Sequence, residues 1–324
     1  MYTFIELQKI IEKEIDGLEL SSPPQGLFEP MQYILGLGGK RLRPILVLLA
    51  ANLYKDDLSK VCLPAIGIEI FHNFTLLHDD VMDNAPIRRR KATVHEKWNS
   101  NVAILSGDAM SIKAYQFIGS CEDRHLRDVL SVFNQTALEV CEGQQFDMEF
   151  ESRSNVKVEE YLNMIRLKTA VLLGGSLKMG AIMGDSSTKD ADLLYYFGVN
   201  LGMAFQLQDD LLDVFGDESV FGKKIGGDIL SNKKTYLLIN ALEKVPPELK
   251  KDLKYWLEVK DFNPEEKIKA VKTIYEQLSV RELSQKKIDD YFALCLEYLD
   301  KVNVTAEKKK ELYSLVKGLI NRSV

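Results

Sequence analysis

Cysteine is scarce in this sequence of 324 residues, and its placement shows no pairing pattern. The four cysteines are scattered, without a CxxC pair or the spacing of a disulfide framework. We therefore expect buried free thiols in a reducing compartment, and the predicted location is the cytoplasm. The amphipathic first 18 residues contain four acids, which predicts neither a signal peptide nor stable membrane insertion.

An excess of basic residues is also missing. The 42 Lys and Arg residues against 48 Asp and Glu residues give a formal charge of −6. Nucleic-acid backbones recruit basic surfaces, so this balance argues against a nucleic-acid partner. With 46% hydrophobic and 28% charged residues, the composition is typical of a soluble globular protein.

Proline is absent from a long central stretch, since none of the nine prolines lies between Pro86 and Pro246. A proline-free run rich in Leu, Lys, Glu, Ala and Met favours long helices. The predicted helices are 3–19, 44–54, 60–83, 95–118, 124–150, 158–183, 189–215, 233–244, 264–278, 281–300 and 305–320. Alternating β-type runs are scarce, and neither repeats nor linker-like stretches are found. We therefore predict one all-α domain over residues 1–324, a helical bundle.

Two acidic clusters end two strongly apolar helical runs. Both have the pattern DDxxD, and they comprise Asp79, Asp80 and Asp83 in the first and Asp209, Asp210 and Asp213 in the second. Six carboxylates around one cavity would require cations, because unpaired buried charges are very costly. Oxygen ligands without a Cys/His set point to a hard ion, and we predict Mg²⁺. The alternative is two solvated helix ends.

Basic residues precede the first cluster. In "GLGGKRLRP", Lys40 and Arg43 follow a glycine pair and begin a helix, where free N–H groups add to an anion site. A capping turn with solvated charges is the alternative. His72 lies seven residues before Asp79 on nearly the same helix face, although a lone helical histidine is more often a core residue.

More basic residues follow the first cluster. Arg88 and Arg89 come after Pro86, and an arginine there can bind a diphosphate through two parallel hydrogen bonds. A solvated run of charge is the alternative, and it is the expectation for Arg90 and Lys91.

A further basic group lies in the second half of the chain. Lys168 and Thr169 fall in the middle of an apolar helix, where a lysine needs an anion or a route to water. Lys223 and Lys233 lie in the glycine-rich stretch 216–236, directly after the second acidic cluster. We predict that this stretch is a lid over an anion, with an ordinary surface connection as the alternative.

The chain resembles the trans-isoprenyl diphosphate synthase (polyprenyl synthetase) family. The shared motifs occur from Gly38 to about Tyr236 in the family's order: "GGKRLRP", "LLHDDVMD…RR", "LKTA", "FQLQDDLLD" and "GKKIGGDI…NKKTY". The resemblance implies a single all-α bundle around a deep central cavity and a homodimer. It also implies Mg²⁺-assisted condensation of isopentenyl diphosphate with dimethylallyl, geranyl or farnesyl diphosphate.

The resemblance assigns roles position by position. Isopentenyl diphosphate would be bound by Lys40, Arg43, His72 and Arg89. The diphosphate of the allylic substrate would be held by Arg88, Lys168, Lys223 and Lys233. The Mg²⁺ ligands would be Asp79, Asp83 and Asp209, supported by Asp80, Asp210 and Asp213. Thr169 and Gln206 would face the reacting allyl group, so the implied catalytic residues are Asp79, Asp83, Lys168, Thr169, Gln206 and Asp209.

Two positions depart from the family pattern. Arg90 replaces the glycine that commonly follows the arginine pair, and Ala92 replaces the proline that commonly precedes Thr93. Both departures concern the conformation of the loop more than its chemistry.

Product length depends on fewer residues. Phe74 lies five residues before Asp79, and Phe71 lies one turn deeper in the same helix. In the family, an aromatic residue at the first position beside a small one such as Thr75 often limits the product to medium length. We therefore expect C15–C20 products, farnesyl or geranylgeranyl diphosphate; core packing is the alternative role for both phenylalanines.

Three other functions would also fit an all-α bundle with acidic clusters. A longer-chain polyprenyl diphosphate synthase would share every motif. A class I terpene cyclase would not need a second diphosphate site, so Lys40, Arg43 and Arg89 argue against it. A non-catalytic partner subunit typically loses one acidic cluster, whereas both are intact here.

Overall fold

The computed structural model describes residues 1–20, 22–216 and 225–321, which are helical almost throughout. The helices are α1 Phe4–Asp16, α2 Gln25–Gly36, α3 Leu42–Asn52, α4 Ser59–Met82, α5 Val94–Lys97, α6 Ser100–Ile118, α7 Asp123–Ser152, α8 Val158–Ile165, α9 Val171–Met183, α10 Thr188–Phe215, α11 Gly227–Leu230, α12 Tyr236–Lys244, α13 Pro247–Glu258, α14 Pro264–Gln277, α15 Val280–Lys301 and α16 Lys310–Ile320. A π-helical segment, Arg166–Ala170, joins α8 to α9, and one short hairpin pairs β1 Ile87–Arg88 with β2 Lys91–Ala92. The predicted all-α fold class is confirmed.

Two compact units, each built from separate stretches of chain, make up the protein. Unit 1 contains residues 1–134, 175–194 and 303–311, and unit 2 contains residues 135–174, 195–302 and 312–324. The first acidic cluster belongs to unit 1 and the second to unit 2. The predicted single domain and its deep central cavity stay predictions.

Helix α4 is the centre of unit 1. It packs along α6 and α3, and its side chains from Ala65 to Phe71 are all buried. By length and composition α4 could cross a membrane, but 61% of its apolar stretch is buried inside the protein, as in the core helix of a soluble protein. Its apolar sequence therefore reflects burial, and its last turn carries Asp79 and Asp80, with Asp83 as the C-cap residue.

Several elements differ from the sequence prediction. Helix α2 was not predicted, because the prolines before it indicated only a turn. Helix α13 was also missed, although proline is well suited to the first position of a helix, where Pro247 lies. The predicted helix 95–118 is two helices, because the Asn99 side chain accepts a hydrogen bond from Val102 N and starts a new one.

Candidate active site

The first acidic cluster is held by an arginine from the hairpin. Asp80 is 3% exposed, and Arg88 Nε lies 2.8 Å from each of its carboxylate oxygens. Arg88 Nη2 also lies 3.5 Å from Asp79 Oδ2. Asp83 is exposed at the helix end, where its N–H donates to Asp79 O. Arg88 thus offsets the repulsion within the cluster, and Asp80 is the member that anchors it.

The hairpin after this cluster turns through two left-handed arginines. Ile87 pairs with Ala92 and Arg88 with Lys91, which leaves Arg89 and Arg90 as a two-residue loop. Their φ angles are 51° and 64°, the pattern of a type I′ turn, in which Asn-Gly is favoured. Arginine in place of the family's glycine therefore keeps the turn at a conformational cost.

Arg43, His72 and Arg89 come together in unit 1. Arg43 Nη1 lies 3.0 Å from His72 Nε2, and a Cβ added to Gly39 would lie 2.7 Å from Arg89 Nη2. Burial, and after it the charge of Arg43, lowers the pKa of His72 well below its ordinary value. Burial also lowers the pKa of Arg43 to about 10, while Glu69 opposes the shift. His72 is therefore a neutral acceptor for Arg43 at pH 7.

The electrostatics of this group suit an anion. Arg43 Nε is buried and has no hydrogen-bond partner among the described residues. Lys40 is exposed in the loop between Gly39 and the helix that carries Arg43. Glu69 acts on the charges of both Arg43 and Arg89, but it is itself paired with Arg41. Guanidinium groups held close together attract a diphosphate.

A buried ion pair behind this loop was not predicted. Arg41 has a left-handed backbone (φ 48°) and lies 2.7 Å from Glu69, which also accepts from Asn73 Nδ2 at 3.0 Å. Arg41 further donates to Leu35 O. Glu69 in the apolar run "AIGIEIF" was the available signal, because a buried carboxylate needs a partner.

In unit 2, the π segment carries Lys168 and Thr169. Lys168 Nζ lies 2.6 Å from Asp147 Oδ2, and Thr169 Oγ1 donates to Gln206 Oε1 at 3.1 Å. A Cβ on Gly143 of α7 would lie 2.2 Å from Lys168 N, so only glycine permits this approach. Asp147 was missed, because nothing in its local sequence distinguishes it from other acids on α7.

The second acidic cluster has neutral hydrogen-bond donors at its middle position. Asp210 is 5% exposed, its Oδ1 accepts from Gln206 Nε2 at 3.0 Å, and its Oδ2 accepts from the Tyr161 hydroxyl. Burial, together with the charge of Asp228, raises the pKa of Asp210 to about 7. Asp213 Oδ2 accepts from Asp228 N at 2.9 Å and so helps to start α11.

The predicted lid is described only in part. Lys223 lies outside the described residues. Lys233 is exposed, and its N–H donates to Asp228 O at 2.9 Å. The buried Lys267 donates to Leu230 O at 3.3 Å and to Asn232 Oδ1 at 2.8 Å, and so supports the segment just before Lys233.

The acidic residues can be tested against Mg²⁺ by their donor chemistry. Within the part of the chain that the structure describes, no three His, Cys, Asp or Glu side chains converge on a ready-made metal site. Asp79, Asp83 and Asp209 offer oxygen only, and all three have solvent access. Mg²⁺ keeps several waters and binds few protein oxygens, so this donor set fits it.

An aromatic row runs along α4 above the first cluster. The Phe71 ring lies 5.5 Å from Phe74 and 5.1 Å from Phe133, and Phe74 lies 4.8 Å from His78, measured between ring centroids. Phe71 is buried, whereas Phe74 is half-buried. Phe71 is therefore a core residue, and Phe74 is the one with an accessible side.

Comparison with known proteins decides the family. A sequence model of the Polyprenyl synthetase family matches residues 24–277. The chain belongs to the polyprenyl synthetase family. It is therefore a prenyltransferase of isoprenoid biosynthesis, as its motifs predicted, and members of this family use Mg²⁺ at their diphosphate-binding motif.

The relatives of this polyprenyl synthetase include synthases of two product lengths. It is 40% identical over 236 residues to geranylgeranyl diphosphate synthase of Methanosarcina mazei, covering 72% of this chain and 73% of that protein. It is 35% identical over 255 residues to geranylfarnesyl diphosphate synthase of Natronomonas pharaonis, covering 73% and 74%. A crystal structure of a geranylgeranyl pyrophosphate synthase superposes with a TM-score of 0.94 and 43% identity, covering 100% of both chains.

Proposed function

We propose that this protein is a geranylgeranyl diphosphate synthase that adds isopentenyl diphosphate to an allylic diphosphate and releases a C20 product. The main support is the group of Arg43, His72 and Arg89, in which the buried Arg43 Nε has no hydrogen-bond partner among the described residues. A second diphosphate site of this kind is what separates a chain-elongating synthase from a terpene cyclase.

In this proposal Arg43, Arg89 and Lys40 bind the diphosphate of isopentenyl diphosphate. Arginine can only donate, so neutral His72 accepts from Arg43 Nη1 and fixes the plane of the guanidinium. Arg43 Nε then donates to the ligand, which satisfies the buried group.

The allylic diphosphate would be held by Arg88, Lys168, Lys223 and Lys233. Arg88 and Lys168 now contact carboxylates, and the incoming diphosphate would compete for their donors. Asp79, Asp83 and Asp209 would hold Mg²⁺, which when bound supplies positive charge to the departing diphosphate oxygens.

Reaction then follows from charge and position. The C–O bond of the allylic substrate breaks, diphosphate leaves with the electron pair, and oxygen dipoles of Thr169 and Gln206 steady the carbocation. The double bond of isopentenyl diphosphate then attacks the cation and forms the new C–C bond, and binding of its diphosphate would orient it for this step. A proton is then lost to the released diphosphate, which restores the alkene.

Product length would be set by Phe74, whose accessible side is backed by the buried Phe71. Phe74→Ala is expected to lengthen the product by one or more C5 units, as measured by chromatography after dephosphorylation. Phe146→Ala, which removes an exposed aromatic side chain from α7, is the control and should leave the product unchanged. An unchanged product from Phe74→Ala would remove this role.

We also propose a cytoplasmic homodimer. Helix α6 exposes Ile104, Leu105, Ile112 and Tyr115, and two of these, Leu105 and Ile112, are each 61% exposed. Their spacing places them along one side of the helix, and an exposed apolar stripe marks an interaction surface. Ile112→Glu should halve the mass measured by light scattering, whereas Lys113→Glu on the same helix should not.

The function itself is tested with the purified chain alone. Labelled isopentenyl diphosphate, Mg²⁺ and each allylic primer are incubated together, and the products are separated by length. We expect C20 from geranyl or farnesyl diphosphate. Turnover without isopentenyl diphosphate would indicate a cyclase, no turnover would indicate a partner subunit, and products beyond C25 would indicate a longer-chain synthase.

A further inference from the structure

Tyr161 begins a chain of hydrogen bonds that ends at Thr169, a residue that the proposed function places next to the allyl group. It lies on α8, is 2% exposed, and donates its hydroxyl proton to Asp210 Oδ2. The other oxygen, Asp210 Oδ1, accepts from Gln206 Nε2 at 3.0 Å. Gln206 Oε1 in turn accepts from Thr169 Oγ1 at 3.1 Å. All four residues belong to unit 2.

The direction of these bonds fixes the Gln206 amide. The amide presents its donor, Nε2, to Asp210 Oδ1 and its acceptor, Oε1, to the Thr169 hydroxyl. Tyr161 and Gln206 occupy one oxygen of Asp210 each, which prevents the carboxylate from rotating. The Tyr161 hydroxyl is thus two hydrogen bonds away from the Gln206 oxygen that meets Thr169.

The backbone around Thr169 is closely packed. A Cβ on Gly202 would lie 2.5 Å from Ala170 Cα, and a Cβ on Gly143 would lie 2.2 Å from Lys168 N. Close contacts on either side of Thr169 in sequence restrict the π segment. The remaining freedom is the orientation of the polar side chains, which the network controls.

We propose that Tyr161 is a positioning residue for prenyl transfer: through Asp210 it holds the Gln206 amide, and with it the Thr169 hydroxyl, in the orientation that stabilises the allylic cation. This inference rests on the proposed function. Tyr161 belongs to none of the motifs that identify the family here, and it touches no reacting atom.

Tyr161→Phe removes only the hydroxyl. We expect kcat to fall about tenfold to a hundredfold, because the buried Asp210 loses one of its hydrogen-bond donors. The KM for isopentenyl diphosphate should stay within about twofold, since its proposed site, with Arg43 and His72, is separate. Tyr275→Phe removes another buried tyrosine hydroxyl from unit 2 and should change kcat by less than about twofold.

A double-mutant cycle distinguishes positioning from general structural support. In the Gln206→Ala background, Tyr161→Phe should cost less than about threefold in kcat, because its effect passes through Gln206. Asp210→Ala provides a second variant, because it removes the acceptor that joins Tyr161 to Gln206. This variant should keep the helical circular-dichroism signal and reproduce the kcat loss.

Wild-type turnover separates the two proposals. The positioning role is wrong if the wild type condenses isopentenyl diphosphate but Tyr161→Phe retains full kcat. It is also wrong if the fold-losses in kcat of Tyr161→Phe and Gln206→Ala multiply fully in the double variant. If Tyr161→Phe does not fold, an Asp210→Ala variant with full kcat overturns the positioning role in the same way. A wild type without any condensation would instead overturn the proposed function.

Discussion

Asp80 and Asp210 occupy the same place in two copies of one pattern, but different groups hold them. Asp80 is paired with a charged guanidinium, Arg88, which donates to both of its oxygens. Asp210 accepts one bond from the Tyr161 hydroxyl and one from the Gln206 amide, both neutral. The same residue spacing is therefore stabilised by an ion pair in unit 1 and by hydrogen bonds from neutral donors in unit 2.

The difference separates two kinds of aspartate within DDxxD. In both clusters the middle carboxylate is buried and turned toward the protein's own donors, whereas the first is partly exposed. The first members, Asp79 and Asp209, are thus the better candidates for metal, and the middle ones keep the helix ends and their neighbours in place. Variants of each kind should separate these roles.

The largest effect is expected at the first members. Asp79→Ala and Asp209→Ala should each lower kcat about a thousandfold, because each removes a proposed ligand whose metal stabilises the leaving diphosphate. Steady-state kinetics at saturating Mg²⁺ measures this loss, and circular dichroism should show unchanged helicity. Asp56→Ala, an exposed aspartate outside both clusters, is the control. Full activity in either cluster variant would show that the first aspartates of the two motifs do not have the same role.

Unit 2 contains a π-helical segment, and unit 1 has none among the described residues. Gly143→Ala tests whether close packing against α7 holds this segment in place. The added methyl would lie 2.2 Å from Lys168 N, so we expect a loss of about 2 kcal/mol in the free energy of unfolding. Urea denaturation measures the change. Gly318→Ala has open space around it in α16 and should be neutral or stabilising. Equal stability in both variants would mean that the π segment can move.

The middle acids should differ in stability more than in activity. Asp80→Asn leaves Arg88 with only the more distant of its two charged partners, Asp79, and should cost about 2 kcal/mol of unfolding free energy. In Asp210→Asn the new oxygen can accept from Gln206 and the new nitrogen can donate to the Tyr161 hydroxyl, so we expect a loss of only about 0.5 kcal/mol. Urea denaturation of the two variants compares them directly, and a larger loss at Asp210 would reverse the comparison.

A modest gain in stability is expected at the hairpin turn. Arg90→Gly should stabilise the protein by about 1 kcal/mol, because glycine adopts the φ of 64° without strain. Its kcat should not change. Arg89→Gly relieves a similar φ of 51° but removes a proposed diphosphate donor, so its KM for isopentenyl diphosphate should rise. A KM increase in Arg90→Gly would assign that arginine to the substrate as well.

Many of the helices were predictable from the period of the apolar residues and from the positions of proline and glycine. The predicted helices 60–83 and 189–215 match α4 and α10 to within one residue at each end, because their apolar runs are long and uninterrupted. Helices α2 and α13 were missed because proline pairs indicate a turn and the start of a helix equally well. The hairpin was missed because its turn residues, Arg89 and Arg90, are not those that favour a type I′ turn.

The site was predictable in its residue types but not in its connections. Charge and motif spacing indicated Arg43, His72 and Thr169, and the structure gives each of them a predicted neighbour. The partners that hold such groups, Asp147 and Tyr161 above all, come from distant parts of the chain. A hydrogen bond between residues far apart in sequence leaves no local pattern to find.

The π segment allows the length of the chain to change by one residue at the position of two proposed site residues, Lys168 and Thr169. A π turn holds one residue more than the α turn that it replaces. Deleting one residue from Arg166–Ala170 would let α8 and α9 close into a single unbroken helix, with the turns on either side still in step. A one-codon change in gene length could therefore erase the polar pair at Lys168 and Thr169 while leaving the surrounding bundle intact.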